Sequence, residues 1–210
     1  MLDEARRGAP EGTVAVADHQ TAGRGRLSRT WEAPAGASLL TSILLRPDLA
    51  PDRRHLVTAA VALAGAIAIA VAEPQLKWPN DLLIGSRKVA GVLAEVDGDA
   101  VVVGIGINLN WDGDPPANGI AVNQVVGHAV DRDAVLDALL AALDERYGNW
   151  ADVASEYRSS CSTLHRAVRV EMADETFTGV AADVSDDGHL LVDVGSCLRT
   201  VSAADVVHLR

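Results

Sequence analysis

Aromatic residues are scarce in this chain. Of its 210 residues, four are Trp, two Tyr and one Phe, 3% in all. A core must therefore be built from Ala, Val, Leu and Ile, which keep the hydrophobic share at 49%. Set against 22% charged residues, that balance is globular and excludes a disordered chain. Cysteine is nearly absent. Cys161 and Cys197 form no C-x-x-C, which excludes zinc-ribbon and thioredoxin-type spacing, and the two read as plain thiols. Positive charge is in deficit. A net charge of −11 argues against a nonspecific nucleic-acid binder but leaves room for a small basic pocket. Long apolar runs are missing too: Leu56 to Ala72 spans 17 residues, is interrupted by Thr58 and Gly65, and reads as a buried helix rather than a membrane span. No secretory signal opens the chain, so the expected setting is cytoplasmic, away from membranes. Lysine is the rarest charge of all. Sixteen basic residues are Arg and two are Lys, Lys77 and Lys88, so each ammonium invites the question of what a guanidinium cannot do there.

The apolar pattern predicts a short helix ending at Gly8 and Pro10, a strand over Thr13–Asp18, a loop from His19 to Trp31 and a strand over Ser38–Leu45 buried on both faces. A helix is expected from Pro51 to about Ala72, stopped before Pro74. A meander follows: Gln75–Trp78, Leu82–Ile84, Lys88–Val96 and Ala100–Asn110, with turns at Gly85-Ser86 and Asp97-Gly98-Asp99. Trp111 to Val130 reads as one long loop. Asp131 or Asp133 is placed to cap a helix through Tyr147, and a further helix covers Trp150 to Arg158. The last fifty residues hold five short β runs with tight turns, the pattern of a small SH3-like barrel. The expected division is 1–160 and 161–210.

Three segments carry chemistry. Gly23-Arg24-Gly25-Arg26 combines glycines that expose backbone N–H groups with guanidiniums that fork onto carboxylate or phosphate oxygens. The same loop reads equally well as a solvated basic hairpin tip. Lys77-Trp78-Pro79-Asn80-Asp81 places a proline-pinned bend after a short strand. Asn80 there can read a nucleotide, and Asp81 can hold Mg²⁺ or a substrate amine. Taken alone, Asn80-Asp81 is also an ordinary turn and Lys77 a snorkelling strand-end cation. Lys88 enters a strand whose next residues are apolar, so it calls for an anionic partner. Gly104-Ile105-Gly106-Ile107-Asn108 puts two glycines on a strand, where a ligand can lie against the backbone. No Rossmann helix follows it, the six histidines show no metal spacing, and no serine stands in a G-x-S-x-G.

In this order, and with Trp31, Lys88-Val89-Ala90-Gly91-Val92-Leu93-Ala94-Glu95 and the closing Asp205-Val206-Val207-His208-Leu209, the chain resembles the bacterial biotin protein ligases over nearly its whole length. The resemblance implies an α+β fold: an α/β sandwich with a mixed, mostly antiparallel sheet like that of class II tRNA synthetases, then the SH3-like barrel. It implies that biotin and ATP, with Mg²⁺ near Asp81 and no protein cage for the metal, give biotinyl-5′-AMP. Biotin then passes to a lysine of a carboxylase biotin carrier domain. Gln20, Gly23, Arg24, Gly25, Arg26 and Lys88 match biotin or adenylate positions, with Lys88 and Arg26 as the catalytic pair. Trp31, Lys77, Asn80, Asp81 and Asn108 fall on the nucleotide side. The resemblance leaves monomer and homodimer both open and implies no nucleic-acid partner.

Three departures stand out. The family carries a Ser-Thr-Asn element that binds the biotin head group ahead of the segment where this chain opens, so part of the biotin pocket is expected to be missing here. Ser28 stands where the family loop commonly has Gly. The helix-turn-helix of the family's repressor members is not found in this sequence. A lipoate–protein ligase, or a carrier-docking module without catalysis, are the competing readings.

Overall fold

The computed structural model describes residues 1–26, 29–116, 118–172 and 174–209; Ser28 lies outside the described residues. A short α1 (Leu2–Arg6) precedes β1 (Val14–Ala17) and β2 (Ser38–Leu45). Then come α2 (Leu56–Ala68), β3 (Gln75–Lys77), β4 (Asp81–Ile84), β5 (Arg87–Asp97) and β6 (Ala100–Asn108). The strands form a six-stranded sheet in the order β1-β2-β6-β5-β4-β3. Every strand pair in it is antiparallel, the dominant pairing of the mixed, mostly antiparallel sheet that the resemblance implies. Parallel pairing among the described residues is confined to isolated bridges, Leu76 to Cys161 and Lys88 to Gly119.

Strand periodicity explains why this sheet has two different faces. On β6, Val103, Ile105 and Ile107 turn toward α2, and all are buried. The alternate positions Gly104, Gly106 and Asn108 turn to the other side and line a cleft. Helix α2 is buried along Leu56–Gly65 and lies close on the sheet: a β-carbon at Gly65 would sit 2.7 Å from Ile105 Cδ1. The single helix expected through Ala72 is broken at Ile69 (φ −119°) into a separate turn, Ala70–Ala72, and Pro51–Arg53 forms a turn of its own. The break tucks Ile69 and Ala72 into the core, 1% and 2% exposed, where a continuous helix would carry on along the surface.

The expected loop Trp111–Val130 contains a one-turn helix, α3 (Val122–Val126). Gln124 accepts the Ala121 N–H at its start, and Gly127 closes it at φ 79°. Five residues are too few to show a helical period, so only these end signals mark it. Helix α4 (Arg132–Arg146) begins as expected, with Asp131 accepting from the Asp133 and Ala134 N–H groups, and α5 (Trp150–Ser160) follows. Helices α4 and α5 pack against α2.

The last segment folds into β7 (Ala167–Glu171), β8 (Thr176–Val184), β9 (Leu190–Asp193), β10 (Leu198–Val201) and β11 (Asp205–His208). They form an antiparallel sheet in the order β10-β9-β8-β7-β11. Its ladder keeps two edges, β10 and β11, rather than closing as a barrel. Among its ties to the first part of the fold are contacts at Trp78, His55 and Arg53. Trp78 donates its backbone N–H to Thr163 Oγ1 and its indole N–H to the Gly188 carbonyl, both at 3.0 Å. His55 and His189 stack with ring centroids 4.6 Å apart. Arg53 pairs with Asp187 at 2.9 Å. Among the described residues no helix is long and apolar enough to cross a membrane.

Candidate active site

A cleft of about 1430 Å³ runs across the open face of the first sheet and ends against β11. Its floor is glycine. Gly91 of β5 and Gly106 of β6 are cross-strand partners, with Gly104 one pleat further along. The indole of Trp31 lies on this floor: a β-carbon at Gly106 would fall 2.8 Å from Trp31 Cε2. Only a residue without a side chain permits that approach. Trp31 Nε1 is buried there without a hydrogen-bond partner among the described residues.

The loop carrying Trp31 folds back on itself. Arg24 and Thr30 form a β-bridge, Trp31 donates to the Gly23 carbonyl at 3.0 Å, and Gly25 donates to the Arg29 carbonyl at 2.7 Å. Gln20, Arg24, Gly25 and Arg26 all line the cleft. Arg26 is partly desolvated, and burial lowers its pKa against the opposing charge of Asp81. Arg24 makes a two-toothed ion pair with Glu95 of β5, both bonds at 2.7 Å. Arg29 pairs with Asp205 at the start of β11.

The two lysines converge on one carboxylate. Lys88 Nζ lies 2.5 Å from Asp81 Oδ1 and Lys77 Nζ 4.0 Å from Asp81 Oδ2. Asp81 supplies the anion that Lys88 requires on entering β5. Lys88 also sits 5.7 Å from the Trp31 ring centroid and over Gly91. Burial pushes the Lys77 pKa down, and the charges of Lys88 and Arg29 push the same way, opposed by Asp81. A carboxylate clasped by two ammoniums does not fit a protein-held Mg²⁺. Among the described residues no group of three His, Cys, Asp or Glu could hold a metal.

The two asparagines serve the backbone. Asn80 donates to the Val92 carbonyl at 2.6 Å, fastening the bend to β5. Asn108, 4% exposed, donates to the Ile120 carbonyl at 3.2 Å and lies 3.4 Å from Ser38 Oγ. Both line the cleft, yet their amides already have partners.

Residues 3–112 match the model of the biotin/lipoate A/B protein ligase family, and residues 163–209 match that of the biotin protein ligase C terminal domain. The chain is 38% identical to a biotin–[acetyl-CoA-carboxylase] ligase of Mycobacterium tuberculosis, over all of this chain and 84% of that protein. It is 33% identical to the bifunctional ligase/repressor BirA of Bacillus subtilis, over 96% of this chain and 68% of that one. The biotin protein ligase of Aquifex aeolicus, solved with biotin and ATP, superposes with a TM-score of 0.81 at 27% identity, covering 96% of this chain and 91% of that one. This chain is a member of the biotin/lipoate A/B protein ligase family.

For a ligase of this family the cleft has the right division of surface. The floor carries the Trp31 indole, which offers an apolar face to a ligand, and the cations beside it suit a carboxylate and phosphates. Sequence reasoning missed three side chains of this site. Glu95 and Asp205 lie inside family-like motifs without a role of their own, and both turn out to hold loop arginines. Arg29 carries no distinguishing signal beside Arg24 and Arg26. No local pattern joins Arg29 to Asp205; charge complementarity between the loop and the chain's last strand is the one hint to their pairing.

Proposed function

We infer that this chain is a biotin protein ligase that activates biotin with ATP and transfers it to a lysine of a carboxylase biotin carrier domain. The observation that carries the reading is the placement of Lys88. Its ammonium lies at once over Gly91, beside Trp31 and against Asp81. A ring bound against the Trp31 indole brings its carboxylate tail to the ammonium.

In the first step the biotin carboxylate attacks the α-phosphorus of ATP, the bond to the β,γ-phosphates breaks, and pyrophosphate leaves. Two anions must approach one another. Lys88 and Arg26 offset that repulsion and stabilise the charge that grows on the phosphoryl oxygens. Arg26 suits this role because it is partly desolvated and, among the described residues, has no carboxylate within ion-pair distance. Lys77, Trp31, Asn80, Asp81 and Asn108 lie on the nucleotide side. Gln20 and the Gly23–Gly25 backbone complete the cover over biotin and the mixed anhydride, excluding water. In the second step a neutral carrier lysine attacks the anhydride carbonyl, the amide forms, and AMP leaves. Any Mg²⁺ would enter with the ATP phosphates. Residues 1–160 form the catalytic unit and 161–210 the C-terminal one, and the ATP-dependent reaction belongs in the cytoplasm.

The test is incubation of the protein with a biotin carrier domain, ATP and biotin, followed by a streptavidin blot. Label on the carrier lysine is expected. Transfer of lipoate in preference to biotin would replace the reading with a lipoate ligase, and carrier binding without label would leave a docking module.

A further inference from the structure

The bend that carries Lys77 and Asp81 into the cleft is a tight turn between two strands. Lys77 of β3 and Asp81 of β4 are cross-strand partners, and Trp78, Pro79 and Asn80 join them. Each of these three residues is tied down from a different side. Trp78 is held by Thr163 and Gly188, through its backbone N–H and its indole N–H. Asn80 is held by β5: its side-chain amide donates to the Val92 carbonyl, and its own carbonyl accepts the Val92 N–H at 2.9 Å. Pro79 has no N–H to offer. Its carbonyl accepts the phenol O–H of Tyr157 at 3.2 Å. Tyr157 stands on α5, which packs against α2 and β3, and is 3% exposed. Burial raises its pKa well above the ordinary phenol value, so it stays a neutral donor. A buried hydroxyl needs a partner, and the one it has is the middle of this turn.

We propose that Tyr157 is a positioning residue for adenylate formation: by holding the Pro79 carbonyl it fixes the turn that sets Asp81 against Lys88. The proposal rests on the ligase reading of the cleft. Tyr157 itself does not line the cleft. It acts through the backbone of the turn on Asp81, whose carboxylate lies 2.5 Å from Lys88 and 4.0 Å from Lys77. The carboxylate stands between two ammoniums, so a small rotation of the turn moves it from one toward the other. Lys88 is the cation that meets the biotin carboxylate, and Asp81 holds it in place while that carboxylate arrives. The ties at Trp78 and Asn80 keep the turn folded without the phenol. The Tyr157 hydroxyl therefore sets the orientation of the turn and not its existence.

The experiment compares the wild type with Tyr157→Phe, which removes only the hydroxyl, and with Asp81→Asn, all as the full chain. Lys77 and Lys88 are the only lysines, so protein made with isotopically labelled lysine gives one ammonium signal for each by NMR. Asp81→Asn marks where the Lys88 signal goes when its carboxylate is lost. In Tyr157→Phe the Lys88 signal should move part of the way to that position. Pyrophosphate release at saturating biotin and ATP should slow about five-fold in the same variant, the size carried by one buried hydrogen bond. A merely structural role leaves the Lys88 signal of the folded protein where it is. Partial unfolding is told apart because it transfers intensity to the free-lysine position instead of shifting the folded signal. An unmoved Lys88 signal, or pyrophosphate release at the wild-type rate, would overturn the proposal. A wild type that makes no biotinyl-AMP would instead overturn the ligase reading, and the lysine signals would still judge whether Tyr157 sets the pair.

Discussion

The six-stranded sheet meets the cleft with a glycine patch and the charges of Lys88, Asp81 and Glu95 around it, whereas the five-stranded sheet reaches the cleft along one edge strand. Gly91, Gly104 and Gly106 make the first contribution, and their backbones are fixed by ladders on both sides. Asp205 and His208 make the second, from an edge strand paired on one side. A floor of central strands is stiff and indifferent to salt. An edge strand that offers one carboxylate, Asp205, answers to ionic strength. The difference gives the first sheet the floor and most of its charge, and leaves the second one edge on the cleft.

The largest break in that comparison should come where charge stands on the floor itself. Lys88→Ala removes the compact cation over Gly91 and leaves Asp81 with Lys77 at 4.0 Å. Pyrophosphate release from biotin and ATP should slow about 10²–10³-fold, the cost of losing one preorganised charge at a developing anion. Release at the wild-type rate would remove Lys88 from the chemistry. A smaller effect is expected from shape. In Gly106→Ala the new β-carbon lies 2.8–3.1 Å from three atoms of the Trp31 indole, so the ring must shift. Overpacking of this kind costs about 1–3 kcal/mol. Biotin affinity by calorimetry should fall about ten-fold or more and stay equally weak from low to high salt. A salt-dependent loss would mean that the floor acts through charge after all.

What the sequence made legible follows the same division. Alternation along 104–108 announces a strand with one glycine face, and the lone ammonium of Lys88 entering an apolar strand demands an anion. Both are local, and Asp81 answers the demand from only seven positions away. The bond from Arg24 to Glu95 spans 71 positions, and that from Arg29 to Asp205 joins the loop to the chain's last strand. Such pairs depend on the sheets' relative placement, which no local period encodes. The same holds for Asn80 and Asn108. Their spacing suggested outward-facing amides, but whether an amide meets a ligand or a carbonyl is decided by strands that fold beside it.

The gentlest test of the comparison lies at the junction of the sheets. His55 is held down to about 4 by burial first and by the neighbouring His189 second, with Asp187 and Asp52 opposing. His208 is also held down to about 4, by burial and then by the charges of Lys77 and Arg166. An unfolded chain takes up these protons near pH 6.5. Between about pH 6.5 and 4 the unfolded state therefore binds more protons than the folded one, and stability falls as pH falls through that window. His55→Gln removes one such group. Its melting temperature should be lower than wild type at pH 7 for want of the ring stack, yet decline less steeply from about pH 6.5 to 4.5. Parallel declines would show that the junction does not sense acid through His55. A shallower decline would place the acid-sensitive part of the fold between the two sheets, where Trp78 and the stacked histidines tie them together.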